Sequence, residues 1–459
     1  MAASPHTNVL KGSVAGHILR MLGPFTLAVI ALISTGIVDT IYLGRLTDPA
    51  RPTLAIMALA AIGIAFPINF LGTSANIGLG AGTMSAVSRA LGQGDEGKAK
   101  RHAAAAILLG LIVMVCVVAF LLLCAPALLK FTGASDEVVK MAYGYLVIVM
   151  PGLVFLSIAS MGNNALRAHG EAALPSSIMI LSALINLALD PFLIFGIGPF
   201  PRLELEGAAI ATLTGNVIAA CYGFYIVAFH RKIIDFVGMS FASMKRAWVI
   251  IGSVGFPAFG TNIIVPIATY VAVSIIGNLL NEADVAAFTV ASRAELISVG
   301  LLYALSACIG AVTGRNGGAG KIDRVRSAFR VSYLICIIWS TIMALLFALF
   351  AAQIAGLFTS DAILIEKIRP YFYIVPITIF GYGFVFVSAA GLNALGRPMY
   401  GLIYTIIRSL ILYIGLIAVG VQVAGLTGAF IGVAAANIIS GLIAFGWTMK
   451  KAPMTAKES

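Results

Sequence analysis

Twelve stretches of this chain are each long and apolar enough to cross a lipid bilayer, and no soluble core could bury so many. They fall near 18–43, 53–80, 100–125, 139–160, 173–197, 207–229, 247–280, 284–311, 327–350, 368–391, 399–420 and 427–448. Each is close to the ~20 residues that cover ~30 Å of hydrocarbon as a helix. Lipid offers no hydrogen bonds, so a spanning segment must satisfy its own backbone, which leaves helices or closed barrels. The ten-residue apolar/polar alternation of a barrel strand is missing. With 60% hydrophobic and 10% charged residues over 459 positions and a mean hydropathy of +1.03, the chain reads as an all-α polytopic membrane protein. The first apolar run follows a polar segment and lacks a small-residue cleavage site, so it is read as a retained helix.

The basic residues set the expected orientation. With the N-terminus in the cytoplasm, 20 of the 29 Lys and Arg fall in tails and loops on the inner side, 7 on the outer side, and 2 (Arg293 and Arg408) within apolar stretches. Positive charge is retained inside, so both termini are expected to be cytoplasmic, in the cell's inner membrane. These short loops also account for the net charge of +11 without a nucleic-acid partner. Five cysteines (Cys116, Cys124, Cys221, Cys308 and Cys336) lie in apolar stretches and imply no disulfide framework. The histidines are scattered and form no metal-binding pattern.

The two halves repeat. LGP at 22–24 is matched by GFP at 255–257, and the loop SRALGQGDEGKAKR (88–101) by TGRNGGAGKIDRVR (313–326). NALRAHG (164–170) is matched by NALGRPM (393–399), and GAAIATLTGN (207–216) by GAFIGVAAAN (428–437). Six spans per half give both copies one orientation, as in carriers whose lobes are related by an axis along the membrane normal. The expected organisation is an N-lobe over 1–230, a basic cytoplasmic linker over 231–246 and a C-lobe over 247–459. Pro24, Pro67, Pro151, Pro257, Pro266 and Pro376 lie in or at the ends of spans and are read mostly as bends that aid packing.

Two carboxylates stand out against this background. Asp39, in GIVDTIYLG, and Asp190, in LALDPFLIFG, sit inside apolar runs, where a charge costs on the order of 2.5–3.5 kcal/mol. Helix rise places both about 6–11 Å from the outer surface. Asn186 precedes Asp190 by one turn and shares its face, and Thr212 enters from outside to a depth of about 8 Å. Four oxygen-bearing side chains are thus expected at one level of one half. Such oxygens suit a hard cation, Na+ among them, and two carboxyl groups at close range can instead share a proton. Structural alternatives remain open: Asp39 as a helix cap or partner of Tyr42, Asp190 as a partner for groups freed by Pro191, Asn186 and Thr212 as interhelical packing groups. The repeat favours function, because the positions matching Asp39 (272–274), Asp190 (414–420) and Thr212 (Val433) carry neither acid nor amide.

Arg293, Glu295 and Arg408 form a candidate charge network in the second half. Glu295 and Arg408 both come near mid-membrane, where unpaired charge is costly, so a structural ion pair between them is expected. Arg293 is two residues from Glu295 and does not face it on a helix. A substrate or coupling role for Glu295 is the alternative.

These motifs resemble the multidrug and toxic compound extrusion (MATE) family, and within it the DinF-like branch. The resemblance covers nearly the whole chain, with VDTIYLGRL (38–46) and INLALDPFLIFG (185–196) its most specific segments. It implies a V-shaped transporter of two pseudo-symmetric six-helix bundles that exports amphipathic, often cationic, drug-like compounds in exchange for H+ or Na+. It also implies an N-lobe ion site at Asp39, Asn186, Asp190 and Thr212. The NorM-like branch carries acids in its seventh and tenth helices, whereas 247–280 and 368–391 contain none.

A flippase or exporter of a lipid-linked or polysaccharide precursor is the competing function, for which only Arg293 and Arg408 lie inside the spans to meet a pyrophosphate. An enzyme is not expected. GRNGGAGKI (314–322) has five residues between Gly314 and Gly320, where a nucleotide-binding loop has four, and Ile follows the lysine. No cofactor is expected beyond H+ or Na+ as coupling ion. The chain is expected to work as a monomer in the bilayer on small molecules.

Overall fold

A computed structural model of the chain describes residues 9–46, 53–130, 132, 134–237, 239–358 and 362–451. At ten helical positions, Arg293 among them, it describes the backbone alone. The described elements are all helical: α1 (Val14–Gly44), α2 (Leu54–Gly92), α3 (Glu96–Lys130), α4 (Asp136–Ala168), α5 (Ala173–Phe195), α6 (Glu204–Tyr225), α7 (Phe241–Leu279), α8 (Glu282–Gly318), α9 (Ile322–Leu349), α10 (Ala351–Phe358), α11 (Ala362–Ile374), α12 (Ile379–Ala394), α13 (Pro398–Thr405) and α14 (Ile414–Lys451).

Eleven described helical segments are long and apolar enough to cross a membrane, and the last of these, Pro398–Lys450, runs for 53 residues. It leaves helical geometry at Ala424 and at Gly425, whose φ of 57° and ψ of −141° only glycine adopts without strain. Beyond that point the chain folds back on itself, with Gly428 against the carbonyl of Gly420 and Gly432 against that of Leu416. The segment is therefore a hairpin of two spans, and the twelve expected spans are present.

Prolines act differently according to their surroundings. Pro24, Pro67, Pro151 and Pro191 sit within unbroken helices. Pro376 instead divides the tenth expected span into α11 and α12, with a single 3₁₀ turn over Pro376–Thr378 between them. Proline lacks the N–H that would continue the ladder. The Ser340 hydroxyl of α9 lies 2.7 and 2.8 Å from the carbonyl oxygens of Pro376 and Ile377, so a neighbouring helix serves the backbone groups that the break leaves over.

By contacts the chain divides into two compact units, one of Gly23–Leu91 with Asp95–Phe259, the other of Met1–Leu22, Gly92–Gly94 and Gly260–Ser459. In the first, small residues bring α5 and α6 into backbone contact: Gly207 lies against the carbonyl of Leu193 and Gly215 against that of Ser182. Close approach of this kind is how helices associate where there is no water to expel. The two crossings bracket the level of Asn186 and Thr212 and fix the spacing there.

In the second unit an apolar core gathers Ala272 and Ile276 of α7, Phe288 of α8, Phe347 of α9, Phe372 of α11 and Phe430 of α14. Basic residues around the start of α9 also make structural contacts. Arg324 donates to the carbonyls of Val9 (2.9 Å) and Gly12 (2.8 Å), Lys321 to that of Leu10 (3.0 Å), and Asn316 to that of Val9 (3.3 Å). Arg324 Nε also donates to Asn316 Oδ1 at 2.9 Å. The segment before α1 is thereby strapped to the start of α9. Replacing Arg324 by Ala should cost about 2 kcal/mol or more, since charge-assisted bonds contribute roughly 1.5–3 kcal/mol each. Thermal melting of the detergent-solubilised protein checks this, and an unchanged midpoint would count against the strap.

Candidate functional site

The C-terminal ends of α1 and α5 carry the two acids, each five residues before its helix ends. Tyr42 and Phe195 pack edge to face with ring centroids 5.8 Å apart, which ties these two ends together. Asp39 and Asp190 are 8% and 0% exposed. Their carboxyl groups come within hydrogen-bonding range of each other. A bond between two carboxyl groups needs a proton on one of them, because ionised carboxylates only accept.

The sixth span begins at Glu204 rather than near 207, which places Thr212 eight residues into α6. It stands opposite Asn186, which donates from Nδ2 to Thr212 Oγ1 at 3.1 Å. The four candidate residues therefore occupy two adjacent levels. The acids lie about 7–8 Å from their helix ends, and the Asn186–Thr212 pair is one turn deeper.

Asp39 Oδ1, Asn186 Oδ1 and both oxygens of Asp190 are buried and meet no hydrogen-bond donor. Buried acceptors are nearly always satisfied, and leaving one bare costs on the order of 1–3 kcal/mol. Asp190 thus does not serve the backbone around Pro191, and Asn186 is only half used by its packing partner. Four oxygens of the type that bind hard cations lie buried without donors on two neighbouring helices, and their chemistry fits an ion or, between the two acids, a shared proton.

Tyr145 of α4 joins this group. It is buried, at 7% exposure, within electrostatic range of both acids. It lies nine residues after the start of α4, nearly the depth of Thr212 in α6. The depth argument applied to tyrosine hydroxyls as well as to acids, amides and threonines would have found it.

The charges of the second unit are arranged otherwise than expected. Glu295 and Arg408 form no direct ion pair. Glu295 Oε2 accepts from the Tyr371 hydroxyl at 3.2 Å. Arg408 donates through Nη2 to Asn437 Oδ1 at 2.9 Å, and its guanidinium carbon lies 3.4 Å from the centroid of the Tyr382 ring. Arg408 lies in a stretch of π-helical bonding over Ile406–Tyr413, between α13 and α14. The side chain of Arg293 lies outside the described residues.

A family model described as MatE matches residues 24–192 and 257–419. The chain is 30% identical over 437 residues to a protein of Shewanella oneidensis named FAD transporter, covering 95% of each. It is 26% identical over 413 residues to the multidrug export protein MepA of Staphylococcus saprophyticus, covering 88% of this chain and 86% of the relative. Among solved structures it is similar to the Vibrio cholerae MATE transporter VcmN in its bent form, with a TM-score of 0.87, 26% identity and coverage of 96% and 97%.

Proposed function

Because the chain belongs to the MatE family, whose members are multi-pass membrane transporters and not enzymes, we propose that it is a secondary exporter driven by an H+ or Na+ gradient. Asp39, Asn186, Asp190 and Thr212 form its coupling site, with both termini in the cytoplasm. The observation that carries this reading is the set of buried oxygens without donors on Asp39, Asn186 and Asp190. Occupied by a cation or a proton, the pair of acids loses charge and α1 and α5 pack as apolar helices. Released, the charge returns and the packing that excludes it is disfavoured. An ion that must leave before the helices rearrange, and a cargo favoured by the other arrangement, together make an antiporter.

The cargo is read as an amphipathic small molecule. The MepA relative's name supports a drug-like compound, and the Shewanella protein's name supports an endogenous anionic one. Ethidium efflux from cells that lack their own exporters tests the energy source. Efflux is expected to collapse with a protonophore or a Na+ ionophore while ATP is intact. Efflux that follows ATP instead would overturn the reading.

Thr212→Val separates the two ions. A proton shared between Asp39 and Asp190 does not need the Thr212 oxygen, whereas a hard cation such as Na+ draws on several oxygen ligands at once. Under Na+ coupling the variant should need several-fold more Na+ for half-maximal efflux, and under H+ coupling its pH dependence should match the wild type.

A further inference from the structure

Arg408 is 4% exposed, and all its described contacts are neutral. It donates to Asn437 Oδ1 (2.9 Å) and Ser409 Oγ (3.4 Å), and its guanidinium carbon stands 3.4 Å from the Tyr382 ring centroid and 5.7 Å from that of Tyr413. Its Nε has no acceptor. A permanent cation held in an apolar core without a counter-ion in contact is costly. The obvious remedy, Glu295, is turned to Tyr371.

A path of rings leads to this cation. Tyr303 of α8 is 41% exposed at the surface of the unit. Its ring meets Phe386 edge-on with centroids 4.8 Å apart. Phe386 meets Tyr382 in the same way, also at 4.8 Å, and Tyr382 carries the guanidinium. The π-helical turn that presents Arg408 is itself a geometry that recurs at functional sites and is rare elsewhere. A bare guanidinium edge at the end of an aromatic ladder suits a planar ligand bearing an oxyanion, because the fork of Nε–H and Nη–H matches a phosphate or carboxylate and the ring edges match a π-system.

We propose that Arg408 anchors a subsite for the phosphate or carboxylate of a planar aromatic cargo lying along Tyr303, Phe386 and Tyr382, and that a negative charge on Glu295 disfavours that oxyanion. This deepens the reading of the chain as an exporter and rests on it for the identity of the ligand as cargo. Entry displaces the Tyr303–Phe386 contact, a side-chain motion rather than a backbone one.

Flavin mononucleotide and riboflavin share one ring system and differ by a single phosphate, so the pair isolates the oxyanion. Their equilibrium binding to the full chain in lipid nanodiscs, read by fluorescence anisotropy, tests the proposal. Wild type should bind flavin mononucleotide about tenfold or more tighter than riboflavin, the span of a charge-assisted bond. Arg408→Gln should erase the difference, Arg408→Lys should restore part of it, and Glu295→Gln should tighten flavin mononucleotide several-fold. Equal affinities in the wild type, no binding of flavin mononucleotide in the millimolar range, or a preference that survives Arg408→Gln overturns the proposal. Size-exclusion profiles report folding. Where Arg408→Gln gives no single folded species, Glu295→Gln decides, and unchanged or weaker binding of flavin mononucleotide counts against the site. Binding needs no gradient. Phosphate selectivity without gradient-driven efflux therefore sinks the coupling reading alone, and coupled ethidium efflux without that selectivity sinks this subsite alone.

Discussion

Asp190→Asn should reduce gradient-driven efflux to the level of vesicles without the protein, while the protein still inserts and folds. The amide keeps the volume of the carboxyl group in a site that is 0% exposed, so no cavity forms. It cannot lose a proton, and it removes one of the two charges on which the proposed change of packing depends. Stability should hold or rise, because a neutral amide is less costly to bury than a carboxylate, and functional sites commonly trade stability for activity. Asp39→Asn should behave alike, since the proposed site needs both carboxyl groups. Efflux rates and melting midpoints measured on the same preparations check both halves of this expectation. Robust efflux by both variants would remove the acids from the mechanism.

The second large effect is structural. Gly381 of α12 faces α14 so closely that an added Cβ would collide with the carbonyl of Asn437, and Gly441 faces the Gly381 Cα in turn. Both neighbours are backbone and cannot turn aside, so Gly381→Val must force two helices apart. Overpacking of a dense core typically costs about 1–3 kcal/mol and occasionally more, and a collision with backbone belongs at the upper end. Separation also moves Asn437, which holds Arg408, so a second cost follows from a buried charge losing its partner. Folded yield by fluorescence-detected size exclusion should fall to background. Gly415→Ala is the control. Nothing lies within 4 Å of its added Cβ, and an alanine there should be neutral or stabilising by about 1 kcal/mol, the ordinary helix-propensity difference.

The spans and the acids were legible in the sequence for the same reason: lipid penalises polar atoms so strongly that each exception is informative. Asp39 and Asp190 drew notice as charges, and counting along the helices brought Asn186 and Thr212 near them. Counting gives depth but not azimuth, and that is where the reading of the second half failed. Glu295 and Arg408 were placed near one depth, yet each takes a different neutral partner, Tyr371 and Asn437, and no residue in IIRSLILY announces the π-helical turn at 406–413. Prolines are illegible for a related reason. Pro376 ends a helix while Pro24 and Pro151 do not, and the difference lies with a neighbour: Ser340, far away in sequence, supplies the hydroxyl that the broken helix uses. Tyr145 escaped because a tyrosine in an apolar run reads as packing, whereas its place within electrostatic range of two acids is a product of the fold.

The most direct test is efflux of ethidium from proteoliposomes holding the purified chain, with proton and sodium gradients imposed separately and the wild type compared with Asp39→Asn. The expected result is that one of the two gradients drives wild-type efflux and that neither drives the variant. Equal efflux by wild type and variant under the same gradient, or efflux by the wild type that neither gradient affects, would contradict coupling through the Asp39–Asp190 site.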